Sequence, residues 1–388
     1  MRIHVGPWRL FLCFILVSLA AGARTNATED RAVADPTKPA SCLPDDTLLY
    51  LEVPAPERLV QKLVQHPTVA AVLELEAVKP NLRGPQYLAF KAGLALVEAS
   101  LGAEWPALVA DLSGNGIVVA ALPGENRFVA ILQARDEGRL KKAAESLLNL
   151  SAMEARNQGR QPPWRIEERG TAKIAIFEGF AMVRSGTLLA VATRVDDAEA
   201  VLQRMEKTTS KKTLAGNAAF QSAMQTIDAN GPHSPDALLW VNLEKIRAAG
   251  VAPALSQTVS DNPAVELVIG GLMAALGTNP GATTTLHLSD AAIQLESTTE
   301  YQAKLADGPR EYWFGASGEG DAPAWIPVDA QLGAPAMQLS SYRDLGQWWL
   351  NKESLFTDSV IADLVQADSQ LSTVFGGLEF GVEVLGAF

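Results

Sequence analysis

One strand-forming pattern occurs twice in this chain, and its recurrence limits the available folds more than any other feature. The first copy reads Asp46-Thr47-Leu48-Leu49-Tyr50-Leu51-Glu52-Val53 and the second Asp236-Ala237-Leu238-Leu239-Trp240-Val241-Asn242-Leu243. Each follows a proline, Pro44 or Pro235, and each is apolar and aromatic between polar boundaries, the composition of a buried strand. A helix start of one type follows each copy: His66-Pro67-Thr68-Val69 in the first and Asn262-Pro263-Ala264-Val265 in the second. Proline at the first helical position gives up no hydrogen bond and presets φ, so the residue before it becomes the cap. A weaker third copy begins at Ile326-Pro327-Val328-Asp329, with a strand expected over Pro335 to Ser341 and a helix start near Tyr342-Arg343-Asp344-Leu345. Self-similarity of this kind predicts repeated supersecondary modules.

A second element recurs between these copies. Phe128-Val129-Ala130-Ile131-Leu132 reads as a strand, then Asp136-Glu137 opens a helix to about Leu150; Leu188 to Ala192 is another strand, then Asp196-Asp197 opens a helix to about Met205. The acids sit in the first helical turn, where they offset the positive end of the dipole. Leu140, Ala143, Ala144, Leu147 and Leu148 make one apolar face, and Ala198, Val201, Leu202 and Met205 another.

Hairpins are expected for Gly116 to Leu122 with Phe128 to Ala134, for the run Lys173 to Phe177, Gly179 to Arg184 and Thr187 to Thr193, and for Thr283 to Leu288 with Ala292 to Thr299. Meandering strands with interspersed helices predict an α+β fold of antiparallel strands with packed helices. The expected division is a signal peptide over 1–23, a flexible linker over 24–41, a first α+β module over 42–230, a second over 231–325, and the start of a third over 326–388. That third module is expected to be truncated, because the chain ends where copy one turns from helix to strand at Ser113-Gly114-Asn115-Gly116.

The N-terminus predicts export. Arg2 and Arg9 form a basic region, Leu10 to Ala21 is an uncharged apolar run, and Ala21-Gly22-Ala23 supplies small residues for cleavage after Ala23. The apolar run is shorter than the ~20 residues a spanning helix needs. Cleavage removes both arginines and no acid, taking the net charge from −12 to −14. Such a charge disfavours nucleic acid and anionic lipid as partners, since both need a basic face, and no nucleic-acid partner is expected. Cys13 leaves with the signal, so Cys42 has no partner for an internal disulfide. The later apolar run Leu267 to Leu276 is short and follows Glu266, which predicts a core helix and no transmembrane segment in the mature chain.

The stretch Leu43-Pro44-Asp45-Asp46-Thr47-Leu48-Leu49-Tyr50-Leu51-Glu52-Val53-Pro54, with Leu112-Ser113-Gly114-Asn115-Gly116 and Asn217-Ala218-Ala219-Phe220, resembles a family of large secreted bacterial proteins, planctomycete-like, built on a domain of unknown function. The resemblance covers most of the mature chain. It implies an α+β protein, secreted or held in the envelope, and carries over no activity and no functional residue. Members of that family continue past the point where this chain ends.

A search for chemistry returns little. His4 leaves with the signal, His66 precedes a proline as a helix cap, His233 lies in the turn Gly231-Pro232-His233-Ser234-Pro235, and His287 sits in a strand pattern. None has metal-ligand spacing. Gly315-Ala316-Ser317-Gly318-Glu319 misses the last glycine of a serine nucleophile elbow. Gly114-Asn115-Gly116 lacks the third glycine of a dinucleotide cradle. Asp111, Ser113, Asn115 and Gly116 match the first half of a calcium loop, but Leu122 stands where a bidentate Glu is needed.

Acid pairs occur at Asp45/Asp46, Asp196/Asp197 and Glu319/Asp321, and two carboxylates can run glycoside hydrolysis across a cleft. Trp313, Trp325, Trp348 and Trp349 cluster late in the chain, either as core or as a stacking surface for glycans or peptides. The sequons Asn26-Ala27-Thr28 and Asn149-Leu150-Ser151 matter only in a eukaryotic secretory route. No catalytic, cofactor-binding or metal-binding residue is assigned. The expected role is a non-enzymatic binding or structural component of the cell envelope, periplasmic, envelope-associated or extracellular, whose partner is an envelope or extracellular component. The alternative is a carboxylate-dependent hydrolase acting on envelope glycans or peptides.

Overall fold

Alternating burial makes Leu49–Val53 a strand: Tyr50 and Glu52 point to one side and are buried, while Leu49 and Leu51 point to the other and are half-buried. The computed structural model describes residues 37–76, 78–82, 84–169, 172–206, 212–229, 234–250, 259–289, 292–300, 308–314 and 343–385. The signal sequence, the expected strand Pro335 to Ser341, the glycine-rich loop Gly315 to Gly320, Trp325, His233 and the Asn26 sequon lie outside those residues.

The elements in chain order begin with α1 (Thr37–Ser41), β1 (Leu49–Val53), α2 (Pro56–Gln65), α3 (Pro67–Leu73), α4 (Lys79–Leu82), α5 (Pro85–Leu101) and α6 (Trp105–Ser113). The hairpin β2 (Ile117–Ala121) and β3 (Phe128–Gln133) leads to α7 (Glu137–Asn157). A meander follows through β4 (Trp164–Arg169), β5 (Ala172–Phe177), β6 (Phe180–Ser185) and β7 (Leu188–Ala192). The chain continues through α8 (Val195–Glu206), α9 (Ala218–Ala229), β8 (Ala237–Val241), α10 (Leu243–Ala248), α11 (Pro263–Thr278), β9 (Ala282–Leu288) and β10 (Ile293–Thr299). It closes with α12 (Glu311–Phe314), α13 (Leu345–Leu350), α14 (Lys352–Leu355) and α15 (Asp358–Val374).

All ten strands join one antiparallel sheet in the order β10-β9-β8-β1-β2-β3-β7-β6-β5-β4, and the fold is α+β. The two strands with matching sequences are neighbours. They pair with Tyr50 opposite Trp240 and Leu51 opposite Leu239. From that pair the sheet runs outward through β2 and β3 on one side and through β9 and β10 on the other.

One sheet face carries Tyr50, Val118, Ala120, Val129, Ile131, Ala190 and Trp240 against Ala198, Val201 and Leu202 of α8 and Phe220 of α9. The opposite face packs Ala175, Met182 and Leu189 on Leu140 and Ala144 of α7, and Val53 and Leu288 on Leu59 of α2. Ala40 of α1 is fully buried in the first of these cores, so residues 37–41, within the stretch read as a linker, are helical and packed.

Two units divide the chain: Met1–Lys245 with Ala282–Thr298, and Ile246–Gly281 with Thr299–Phe388. The first holds the sheet. In the second, Tyr312, Trp348, Trp349, Leu355 and Phe356 form a core that Leu267 of α11 joins. Gly270 and Gly271 admit Glu266, Tyr312 and Trp313 so closely that a Cβ at either glycine would overlap them.

The helix starts follow the sequence reading. His66 Nδ1 accepts the Thr68 amide at 3.2 Å, Asn262 Oδ1 accepts the amides of Ala264 and Val265 at 3.0 and 3.1 Å, and Asp344 Oδ1 accepts that of Gln347 at 2.8 Å. Helix α7 runs beyond Leu150 to Asn157, because good helix formers continue up to Gly159, which takes a φ of 69°. Its length places the Asn149 sequon inside the helix.

Candidate functional site

A depression of about 350 Å³ lies between α2 and α6, lined by Glu57, Gln61, Glu104, Pro106, Asp111 and Arg139 among others. Pro56 starts α2 and Glu57 falls in its first turn; Trp105 starts α6, with Glu104 as the residue before it. The chemistry of the lining is set by ion pairs. Glu57 Oε2 accepts Arg135 Nη1 at 2.7 Å, and the Asp111 carboxylate accepts Arg139. These arginines leave β3 and enter α7, so the pairs tie that turn to α2 and α6. Glu104, exposed at the rim, is the third carboxylate.

The residues that resembled a calcium loop are occupied otherwise. Asp111 faces Arg139, Ser113 Oγ donates to the Val109 carbonyl at 2.9 Å, and Asn115 Nδ2 donates to the Ala134 carbonyl at 3.0 Å. Their oxygens and amide close the α6-to-β2 turn against the end of β3. Among the described residues no group of three His, Cys, Asp or Glu side chains could hold a metal ion.

Among the described residues the acid pairs do not converge on a cleft. Asp197 is buried in a bidentate pair with Arg127, whose Nε and Nη2 reach Oδ2 and Oδ1 at 3.1 and 2.5 Å, while Asp196 stays exposed in the first turn of α8. The Asp45 carbonyl accepts Asn217 Nδ2 at 3.0 Å, and Asn217 Oδ1 accepts the Phe220 amide at 3.1 Å. Glu319 and Asp321 lie outside the described residues. His287 Nε2 meets Thr285 Oγ1 at 3.2 Å within β9.

Of the late tryptophans, Trp348 and Trp349 lie in the core of the second unit and Trp313 packs against it. Trp348 and Trp349 are buried, with Phe356 edge-on to Trp348 at 5.6 Å, and the Arg343 guanidinium covers the Trp313 ring at 3.7 Å. The buried rings of Trp348 and Trp349 offer no face to a glycan.

Three buried polar arrangements escaped the sequence reading, two of them because their members are distant along the chain and the third because it depends on which side of β1 is buried. Lys62 reaches both oxygens of Asp236 at 2.7 Å, and Asp236 Oδ2 also accepts the Leu288 amide at 2.8 Å. Glu266, 3 % exposed, accepts Arg310 Nε and Nη2 at 2.6 and 3.1 Å and Tyr312 OH at 3.0 Å. Tyr50 OH donates to Glu52 Oε2 at 2.8 Å. Burial first, then the neighbouring carboxylate, pushes both tyrosine hydroxyls upward from their ordinary value. Burial likewise raises the Cys42 thiol.

No family model and no curated protein matches the chain. Two crystal forms of TP0453 are similar over 68% of this chain. Their TM-scores are 0.33 and 0.31, at 8% and 10% identity, over 76% and 75% of those chains. Likeness at that level carries no functional argument. Among the described residues no helix is long and apolar enough to cross a membrane.

Proposed function

We propose that the chain is an exported, non-enzymatic binding or structural component of a cell envelope. The carrying observation is where its carboxylates are spent. Glu57, Asp111, Asp197, Asp236 and Glu266 are each held by an arginine or lysine that joins one element to another. A general acid or nucleophile needs a carboxylate free to meet substrate. Large apolar side chains point the same way, since Val265, Val268, Ile269 and Leu272 stand exposed at i, i+3, i+4 and i+7 on α11, as in surfaces that bind partners. The n-region, apolar run and small-residue site of residues 1–23 support export.

The hydrolase alternative has one observation in its favour, the depression that gathers Glu57, Glu104 and Asp111. Two experiments decide. Cells expressing the full reading frame with a C-terminal tag are fractionated and the N-terminus sequenced; a start at Arg24 outside the cytoplasm supports export, and a retained Met1 in the cytoplasm overturns it. The purified protein is then taken through a glycan and peptide hydrolase screen. Saturable turnover that is lost in Glu104→Gln would replace the binding reading with the hydrolase.

A further inference from the structure

The two ends of the sheet differ in chemistry. Strand β4 is guarded: Arg165 pairs with Glu167 at 3.3 Å, and Glu168 with Lys173 of β5 at 3.4 Å, so charged side chains line that edge. Among the described residues strand β10 has no such pairs and carries a single charge, Glu296. Ile293, Gln294, Leu295, Glu296 and Ser297 are all exposed, Leu295 by 69 %, and the strand contains no lysine, arginine or proline. Long, exposed, apolar edges are the ones other strands add to.

Which groups the edge offers follows from its pairing to β9. The Ala292 carbonyl accepts the Ser289 amide at 3.0 Å, and the Thr298 carbonyl accepts Thr283 Oγ1 at 3.4 Å, so even-numbered residues turn their backbone toward β9. Ile293, Leu295 and Ser297 therefore turn theirs outward. The side chains of these same residues lie on one sheet face, where Ser297 Oγ meets Thr284 Oγ1 at 3.0 Å. Leu286 and Leu288 alternate onto that face and pack with Val53, Leu59 and Leu63. Among the described residues the apolar layer under α2 thus continues to the edge and ends uncovered at Leu295.

We propose that β10 is a dimer interface, pairing antiparallel with β10 of a second copy about a two-fold axis at Leu295. This register sets Leu295 against Leu295, Ile293 against Ser297, and Gln294 against Glu296. It joins outward backbone groups to outward backbone groups and places an amide opposite each carboxylate. A register centred one residue on would set Glu296 against Glu296, and like charges directly opposite are destabilising. Joining β10 to β4 would be head-to-tail and open-ended, whereas the two-fold pairing closes after two copies. The proposal stands apart from the envelope reading and does not depend on it.

Sedimentation equilibrium of the whole chain at micromolar loading tests it. The expected result is twice the chain mass, falling to the chain mass in Leu295→Lys with an unchanged circular dichroism spectrum. Leu295→Pro deletes an outward donor and leaves the β9 ladder whole, and it is expected to do the same; if it fails to fold, Leu295→Lys decides. Leu295→Cys is expected to form a disulfide between copies on oxidation, since a hydrogen-bonded antiparallel pair holds its Cα atoms ~5.5 Å apart, while the unsubstituted chain does not. A monomer, a dimer indifferent to Leu295→Lys, an open polymer, or a monomer that instead captures a peptide copying residues 292–299 would each overturn the proposal.

Discussion

Tyr50 and Trp240 stand opposite each other in the β1–β8 pair, and Phe220 meets both rings edge-on with centroids at 5.3 Å. The two strands with matching sequences are thus locked together by one phenyl ring from α9. Edge-to-face packing puts the positive rim of one ring on the negative face of the next, which adds to plain burial.

Phe220→Ala should therefore cost about 4 kcal/mol, through lost burial and a cavity between two rigid rings. Denaturant unfolding followed by far-UV circular dichroism measures it, and a loss under ~1 kcal/mol would show that the cluster collapses without strain.

Trp240→Phe should be mild. The indole Nε1 is buried with no hydrogen-bond partner among the described residues, so the substitution removes an unsatisfied donor along with some volume. A cost below ~1.5 kcal/mol is expected. A cost as large as that of Phe220→Ala would mean that the indole nitrogen has an acceptor.

Asp236 serves Lys62 and the Leu288 amide at once, so Asp236→Ala strands both. About 3 kcal/mol of destabilisation is expected, and Asp236→Asn, which keeps an oxygen for the amide, should recover part of it. Equal losses in the two variants would assign the whole effect to charge.

Alkaline pH should unfold the protein through Tyr50 and Tyr312. Their hydroxyls are raised in the folded chain, so an unfolded chain loses those protons first, near the ordinary value of about 10. The stabilisation is complete below that pH and falls as pH rises past it. Tyrosinate absorbance should report at most three of the five tyrosines ionising before the circular dichroism signal collapses. Five ionising in the folded state would contradict the buried hydroxyls.

His66 caps α3 through its ring nitrogen, a role that asparagine also fills. His66→Ala should cost ~1 kcal/mol and His66→Asn less. Thermal melts of the two variants side by side check the order.

Local features were legible in the sequence and long-range ones were not. Proline spacing located the caps His66 and Asn262, and turn residues located the hairpins β2–β3 and β9–β10, because a few adjacent residues decide those structures. Strand β4 was missed: Trp-Arg-Ile-Glu-Glu-Arg is an edge strand with charged side chains and no clean alternation. What holds it is the Trp164 indole, which donates to the Leu148 carbonyl and Ser151 Oγ of α7. Helix α2 was also missed, although Pro56 at its first position and Leu59, Val60 and Leu63 on one face are the signals it carries. The pairs Lys62–Asp236, Arg127–Asp197 and Glu266–Arg310 join residues that no window of sequence contains together. The lining of the depression was invisible for the same reason.

The order in which the strands leave the ribosome differs from their order in the sheet. Strand β8 docks on β1, but its outer neighbour β9 begins only at Ala282, after α10 and α11 have been made. Through that interval a growing chain carries Ala237–Val241 as a bare apolar rim. A nascent chain of this protein is therefore most prone to mispair while residues 242–281 emerge, which is where a chaperone would have most to shield.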